Sequence, residues 1–169
     1  HAPKGGASVG GKQFRGGDIV ILNPRTPIQC PPAPYEAAML LDHEFKRLQL
    51  RDKTRISLYT VEPAPTPTAG PQVSQIMRDE LARRNIAYQT QKRLKSVDAG
   101  RRVVSFEDGA EAPYDLLIAV PVHEAPRPVR QSGLTNQSGW IPVDPQTLKT
   151  AAERVYAIGD VTVVPLPGR

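Results

Sequence analysis

The stretch from Asp18 to Glu36 constrains this chain most. Ile19-Val20-Ile21-Leu22 is a short apolar run, introduced by Gly16-Gly17-Asp18 and stopped by Asn23-Pro24, and it predicts a buried strand. Tyr35, Ala38, Met39, Leu41, Phe45 and Leu48 then return at three- and four-residue steps, which predicts a helix from about Pro34 to Leu48. Strand, loop and helix at the head of a chain is how an α/β domain of the nucleotide-binding kind begins. In such a domain the turn is glycine-rich, so that backbone N–H groups can close on a pyrophosphate. Here the loop from Pro24 to Pro34 has no glycine and five prolines, and it carries the only cysteine, Cys30. Each proline removes a donor and stiffens the backbone. The frame is that of a nucleotide-binding unit, with a rigid loop in place of the phosphate turn.

The rest of the chain extends that frame. Arg55 to Val61 predicts a second strand, parallel to the first across the helical connection. Pro63 to Gly70 reads as a stiff surface loop, and Pro71 opens a second helix with Val73, Ile76, Met77 and Leu81 on its inner face and Asn85 closing it. Tyr88 to Val97 and Arg102 to Glu107 are strand-like runs around Asp98-Ala99-Gly100. Asp108-Gly109 turns the chain again toward Ala112 to Asp115, so a three-stranded antiparallel meander is expected between Tyr88 and about Tyr114. Leu116 to Val120 is continuously apolar and reads as a central parallel strand. Trp140 to Val143 reads as a short strand, and Val155 to Ile158 as a further strand of the parallel sheet, ending at Gly159-Asp160. The predicted fold class is α/β: a three-layer, Rossmann-like (ββα) parallel sheet with helices on one face and the antiparallel three-stranded meander on the other.

Composition narrows the function classes. A chain of 169 residues, 39% hydrophobic and 23% charged, suits one domain, or one domain and a tail. The net charge of +5 is spread over helices and hairpins, with no Lys/Arg run interleaved with aromatics, so no nucleic-acid partner is predicted. One cysteine excludes an internal disulfide or a cysteine metal cluster, and His1, His43 and His123 show no ligand spacing, so no metal is predicted. No apolar run is long enough for a transmembrane segment. Residues 1–17 are glycine-rich and read as a flexible lead or linker. A chain that opens without Met and stops straight after an apolar strand reads as an excised piece of a larger protein.

Two sets of residues carry a resemblance. Thr150-Ala151-Ala152-Glu153-Arg154-Val155-Tyr156-Ala157-Ile158-Gly159-Asp160 resembles the second FAD motif of flavoproteins built from two dinucleotide folds. In that motif a tight glycine lets the backbone approach the cofactor, and the aspartate accepts hydrogen bonds from ribityl hydroxyls. Cys30 to Glu36, Ser132 to Asn136, Gly139-Trp140 and Pro142 to Asp144 extend the likeness. From about Gly17 onward the chain resembles the FAD-dependent pyridine nucleotide-disulfide oxidoreductases, nearest the flavin subunit of flavocytochrome c sulfide dehydrogenase and sulfide:quinone oxidoreductase.

The resemblance implies that residues 18–144 are a central pyridine-nucleotide-type domain and residues 145–169 the start of the returning FAD domain. The missing FAD-domain half would be its partner. The full-length parent would hold FAD and pass electrons from a sulfur compound to a quinone or cytochrome acceptor, in a peripheral membrane or periplasmic setting. Cys30 would be one cysteine of a redox-active pair near the flavin, and Gly159 and Asp160 would bind the cofactor. Two departures stand out: the pair's second position is Thr162, and the glycine-rich nicotinamide turn is missing. At the end of the second strand, Thr60 and Val61 stand where a ribose-binding acid is often found, with Glu62 beside them. Cys30 has two readings from the residues themselves, a reactive thiol at a helix start or a small apolar side chain wedged among prolines. The alternatives for the whole are an NAD(P)H-binding domain of an NADH dehydrogenase-like flavoprotein and a non-catalytic scaffold. The isolated chain is expected to be inactive and to bind neither FAD nor NAD(P)H tightly.

Overall fold

The computed structural model describes residues 7–9, 12–26 and 28–163. They fall in two compact units, His1–Val122 and His123–Arg169. In the first, β1 (Ala7–Val9) and β2 (Lys12–Phe14) form an antiparallel pair within the glycine-rich lead. Phe14 packs on Phe45 with ring centroids 5.5 Å apart. Then come β3 (Gly17–Asn23), α1 (Ala33–Arg47), β4 (Thr54–Thr60), α2 (Pro71–Arg83), β5 (Ile86–Gln89), the strands β6 (Leu94–Asp98), β7 (Val103–Phe106) and β8 (Glu111–Pro113), and β9 (Leu116–Ala119). The second unit holds α3 (Arg127–Gln131) and the two-residue strands β10 (Ile141–Pro142) and β11 (Thr162–Val163), paired in parallel.

The main sheet is parallel throughout, in the order β5-β4-β3-β9, and β6-β7-β8 form a separate antiparallel sheet. The pleat explains the layers. Ile19 and Ile21 of β3 join Ile56 and Leu58 of β4 in a core with Tyr35, Ala38 and Phe45 of α1 and Leu81 of α2. Val20 and Leu22 point the other way and pack with Val104, Phe106 and Ala112 of the antiparallel sheet. A strand apolar on both sides, such as β3, must be covered on both, and the meander supplies the second cover. Each fully buried large side chain contributes about 1.5–3 kcal/mol by leaving water.

Four sequence expectations need correction. The run Tyr88–Val97 is two strands, because Ile86–Gln89 pairs with β4 as a fourth parallel strand. Gln91 then adopts a left-handed φ of 54°, and the meander begins only at Leu94. Val155–Ile158 is not in the parallel sheet. Tyr156 forms a single antiparallel bridge with Lys149 inside the second unit, and Ile158 is 71% exposed. Leu116–Ala119 is parallel as expected but lies at the sheet's edge, half-buried, and β3 and β4 hold the centre. Its unbroken apolarity reflects contact with both layers, since Leu116 and Ile118 reach the helix side and Leu117 the meander side. On α2, Val73 and Ile76 face outward, and the inner face is Ser74, Met77 and Leu81. Ser74 donates its hydroxyl to the Pro65 carbonyl at 2.6 Å, which turns the helix so that this polar side chain is inside.

At the amino-terminal edge of the sheet the connections are tied by one acid. Asp42 of α1 is fully buried and accepts hydrogen bonds from Lys46 at 2.8 Å, Arg51 at 2.7 Å and Arg84 at 3.2 Å. Arg51 also donates to the carbonyls of Thr54, Arg84 and Asn85, so it joins the start of β4 to the end of α2. Asn85 closes that helix in a left-handed conformation, φ 53°, with its N–H on the Ala82 carbonyl. Burial alone would push the Asp42 carboxyl up, but the bonds from Lys46, Arg51 and Arg84 together hold it below the usual carboxylate range. Asp42→Ala takes away the acceptor shared by the half-buried Arg51 and Arg84, which keep only the carbonyls of Thr54, Arg84 and Asn85 and the Glu80 carboxylate, and should destabilise the chain by about 1–3 kcal/mol. Because the folded pKa is depressed, this contribution is fully present above the ordinary carboxylate value of about 3.9 and is lost as pH falls through the lower folded value. Urea unfolding followed by circular dichroism from neutral pH downward checks both points, and Asp42→Asn should flatten the acid limb.

Candidate functional site

The carboxyl ends of β3 and β4 are polar and buried. Asn23 is 1% exposed, Thr60 0% and Glu62 7%, and Tyr35, from the first turn of α1, is 1% exposed. The Glu62 carboxylate is the hub. Its Oε2 accepts from the Tyr35 hydroxyl at 3.1 Å, from Asn23 Nδ2 at 3.4 Å and from the Thr60 hydroxyl at 3.4 Å. Asn23 Nδ2 also donates to Thr60 Oγ1 at 3.2 Å, and the Glu62 N–H donates to the same oxygen at 3.1 Å. The Tyr35 and Tyr88 hydroxyls are 3.3 Å apart. Burial first, then the Tyr88 hydroxyl and the Glu62 charge, push the Tyr35 phenol far above its ordinary range, so it stays a donor. None of the ion pairs among the described residues includes Glu62. A buried carboxylate held only by neutral donors is costly and demands this degree of hydrogen bonding. Asn23 Oδ1 has no partner among the described residues, because Glu62 requires the amide nitrogen on its own side.

The cysteine loop abuts this cluster through the chain itself. Cys30 is exposed, and its carbonyl accepts the Ala33 N–H at 3.1 Å. The Pro32 carbonyl accepts the N–H groups of Tyr35 and Glu36, each at 3.0 Å. Pro34 has no N–H to offer. The first three positions of α1, Ala33, Pro34 and Tyr35, therefore present no free backbone donor. An anion at a helix start needs such donors, so a dinucleotide pyrophosphate does not fit here. The ribose-binding position fares no better, since Glu62 is buried and its Oε2 is already engaged by Tyr35, Asn23 and Thr60.

In the second unit, Ile141, Val143 and Ala157 form a small core with Val129, Leu134 and Val161. Gly159 follows it with φ 76°, a left-handed conformation that suits glycine, and a Cβ there would meet nothing within 4 Å. Gly159 and Asp160 open a single 3₁₀ turn, and the Thr162 hydroxyl donates to the Gly159 carbonyl at 2.8 Å. An open glycine backbone followed by a carboxylate acceptor fits one side of a flavin ribityl chain. Cys30 belongs to the first unit and Gly159-Asp160 to the second. A cleft of about 290 Å³ between sheet and meander, beside the Asp18–Arg55 ion pair, is lined by none of these residues.

Sequence reading named Cys30, Gly159 and Asp160 as candidates and noted Thr60 and Glu62 only at the ribose-binding position, without the cluster they form with Asn23 and Tyr35. Asn23, Tyr35 and Tyr88 each looked like a strand stop, a helix-stripe position or a strand position. The available signal was polar residues of matching register, since Asn23 and Thr60 are direct partners across β3 and β4.

A family model described as pyridine nucleotide-disulphide oxidoreductase matches residues 36–168. The mitochondrial sulfide:quinone oxidoreductase of Schizosaccharomyces pombe is 27% identical over 160 residues, 91% of this chain and 35% of that protein. That of Mus musculus is 24% identical over 159 residues, again covering 35% of its length. Among solved structures, the sulfide:quinone oxidoreductase from the hyperthermophilic bacterium Aquifex aeolicus has a TM-score of 0.75 at 20% identity, over 88% of this chain and 36% of that one. A NAD-dependent persulfide reductase from A. fulgidus scores 0.58 at 17% identity, over 86% and 25%. These structures establish the fold. The chain spans about a third of the length of the curated relatives it matches.

An exposed cysteine should react without unfolding. One equivalent of Ellman's reagent is expected to titrate in the native chain, with no further thiol appearing in denaturant. A thiol released only in urea would contradict the placement of Cys30.

Proposed function

Because the chain belongs to the pyridine nucleotide-disulphide oxidoreductase family, we propose that it is the central domain of a larger FAD-dependent enzyme that oxidises a sulfur compound and delivers the electrons to a quinone. Residues 18–144 act as that domain, and residues 145–169 begin the returning FAD segment. The observation that carries the reading is the loop after β3. It spends its own helix-start donors internally and presents the exposed thiol of Cys30 at the carboxyl edge of the sheet, where sites in open α/β sheets form. A domain of this family that bound a nicotinamide cofactor would need those donors for its phosphates.

In this reading Cys30 meets the sulfur donor. The second thiol of the pair comes from outside these residues, since Thr162 stands at the position where relatives of the flavocytochrome type would carry it. Gly159 leaves its backbone open and Asp160 accepts hydrogen bonds, so together they would hold the ribityl side of FAD. When bound, FAD supplies the two-electron acceptor. The competing reading, an NAD(P)H domain, would require Glu62 to give up three buried donors and α1 to free N–H groups that are already bonded.

The test uses the full-length flavoprotein that carries this chain. Under anaerobic conditions sulfide should bleach the flavin absorbance and NADH should not, and Cys30→Ser should abolish the sulfide response while leaving FAD bound. Bleaching by NADH, with an unchanged sulfide response in Cys30→Ser, would overturn the proposal.

A further inference from the structure

We propose that Tyr35 and Glu62 form a lock that positions the Cys30 loop, a role that rests on the reading of Cys30 as the reacting thiol. Tyr35 is the third residue of α1, five positions after Cys30, and three of the four residues between them are proline. Proline fixes φ, so little rotational freedom separates the two side chains. Two internal bonds close the remainder: Ala33 N–H to the Cys30 carbonyl at 3.1 Å and Tyr35 N–H to the Pro32 carbonyl at 3.0 Å. The segment from Cys30 to Tyr35 behaves as one rigid arm.

Tyr35 is the anchored end of that arm. Its ring is buried in the helix-side core beside Ile21 and Leu58, and its hydroxyl donates to Glu62 Oε2 at 3.1 Å. Glu62 is itself fixed by Asn23 from the end of β3 and by Thr60 from the end of β4. The carboxylate therefore ties the arm to the two central strands of the sheet. Apolar packing is non-directional, whereas a buried hydrogen bond to a charged acceptor adds a directional tie at the ring's hydroxyl end. This also accounts for an acid kept in the interior without a described cationic partner. Tyr35 and Glu62 are positioning residues and act through the arm.

Cys30 is the only cysteine, so a nitroxide label attached to it reads the loop directly by electron paramagnetic resonance in the unmodified sequence. The 169-residue chain should give an immobilised component. Tyr35→Phe, which removes one buried hydroxyl, and Glu62→Gln, which removes the charge, should each lose that component while retaining native circular dichroism. Arg51→Lys weakens the network at the opposite edge of the sheet and serves as the control for general loosening, so it should leave the spectrum unchanged. If Glu62→Gln fails to fold, Tyr35→Phe decides alone. A mobile spectrum in the unsubstituted chain, an unchanged spectrum in folded Tyr35→Phe, or equal mobilisation in Arg51→Lys would overturn the lock. The spectrum reads geometry and is independent of thiol chemistry, so an immobilised Cys30 that plays no part in sulfide oxidation would sink the proposed function and leave the lock standing.

Discussion

Helix α1 is held at both ends by buried acids, and the arrangement of the first unit follows from those two attachments. At its start, Tyr35 reaches Glu62 and through it the carboxyl ends of β3 and β4. Near its end, Asp42 gathers Lys46, Arg51 and Arg84, and Arg51 carries the connection to the start of β4 and the end of α2. Between the anchors the helix buries Ala38 and Phe45 against the sheet. The two acids differ in kind. Asp42 is surrounded by cations and gains Coulomb energy to offset its desolvation, whereas Glu62 relies on neutral donors. The first arrangement is what a purely structural tie requires. The second is more expensive per contact, and it sits beside the loop that carries the thiol.

The same geometry decides which ligands the carboxyl edge can take. A nucleotide-binding version of this frame opens the turn after β3 with glycine and leaves helix-start donors for phosphate. Here prolines have removed some donors, and the carbonyls of Cys30 and Pro32 have consumed others. The loop at that edge carries the exposed thiol of Cys30. The fold of the family is kept, while the turn after β3 lacks the glycines and the free helix-start donors of a phosphate site.

Much of this was legible in the residues. The apolar quartet Ile19–Leu22, the stripe from Tyr35 to Leu48 and the Asp108-Gly109 turn specify the central strand, the first helix and the meander, because each follows a strong local period or turn chemistry. The inner face of α2 was not legible. Ser74 is buried through a bond to Pro65, a tertiary contact that outweighs the apolarity of Val73 and Ile76. The boundary within Tyr88–Val97 was hidden for a similar reason, since both halves are strand-like and only pairing assigns Ile86–Gln89 to the parallel sheet. Val155–Ile158 has the apolarity of a sheet strand, and apolarity does not name the sheet. At the candidate site, Cys30 and Gly159-Asp160 stood out by rarity and motif, whereas the cluster around Glu62 depends on strand register and on which way Tyr35 points.

Titration of the purified chain with NADH by isothermal calorimetry tests the central claim most directly, because it asks whether the turn after β3 still offers a phosphate site. With its helix-start donors engaged and Glu62 buried, the chain should give no saturable heat in the micromolar range. Binding at micromolar affinity or tighter would contradict the account, since it would require free donors where the structure places bonded ones.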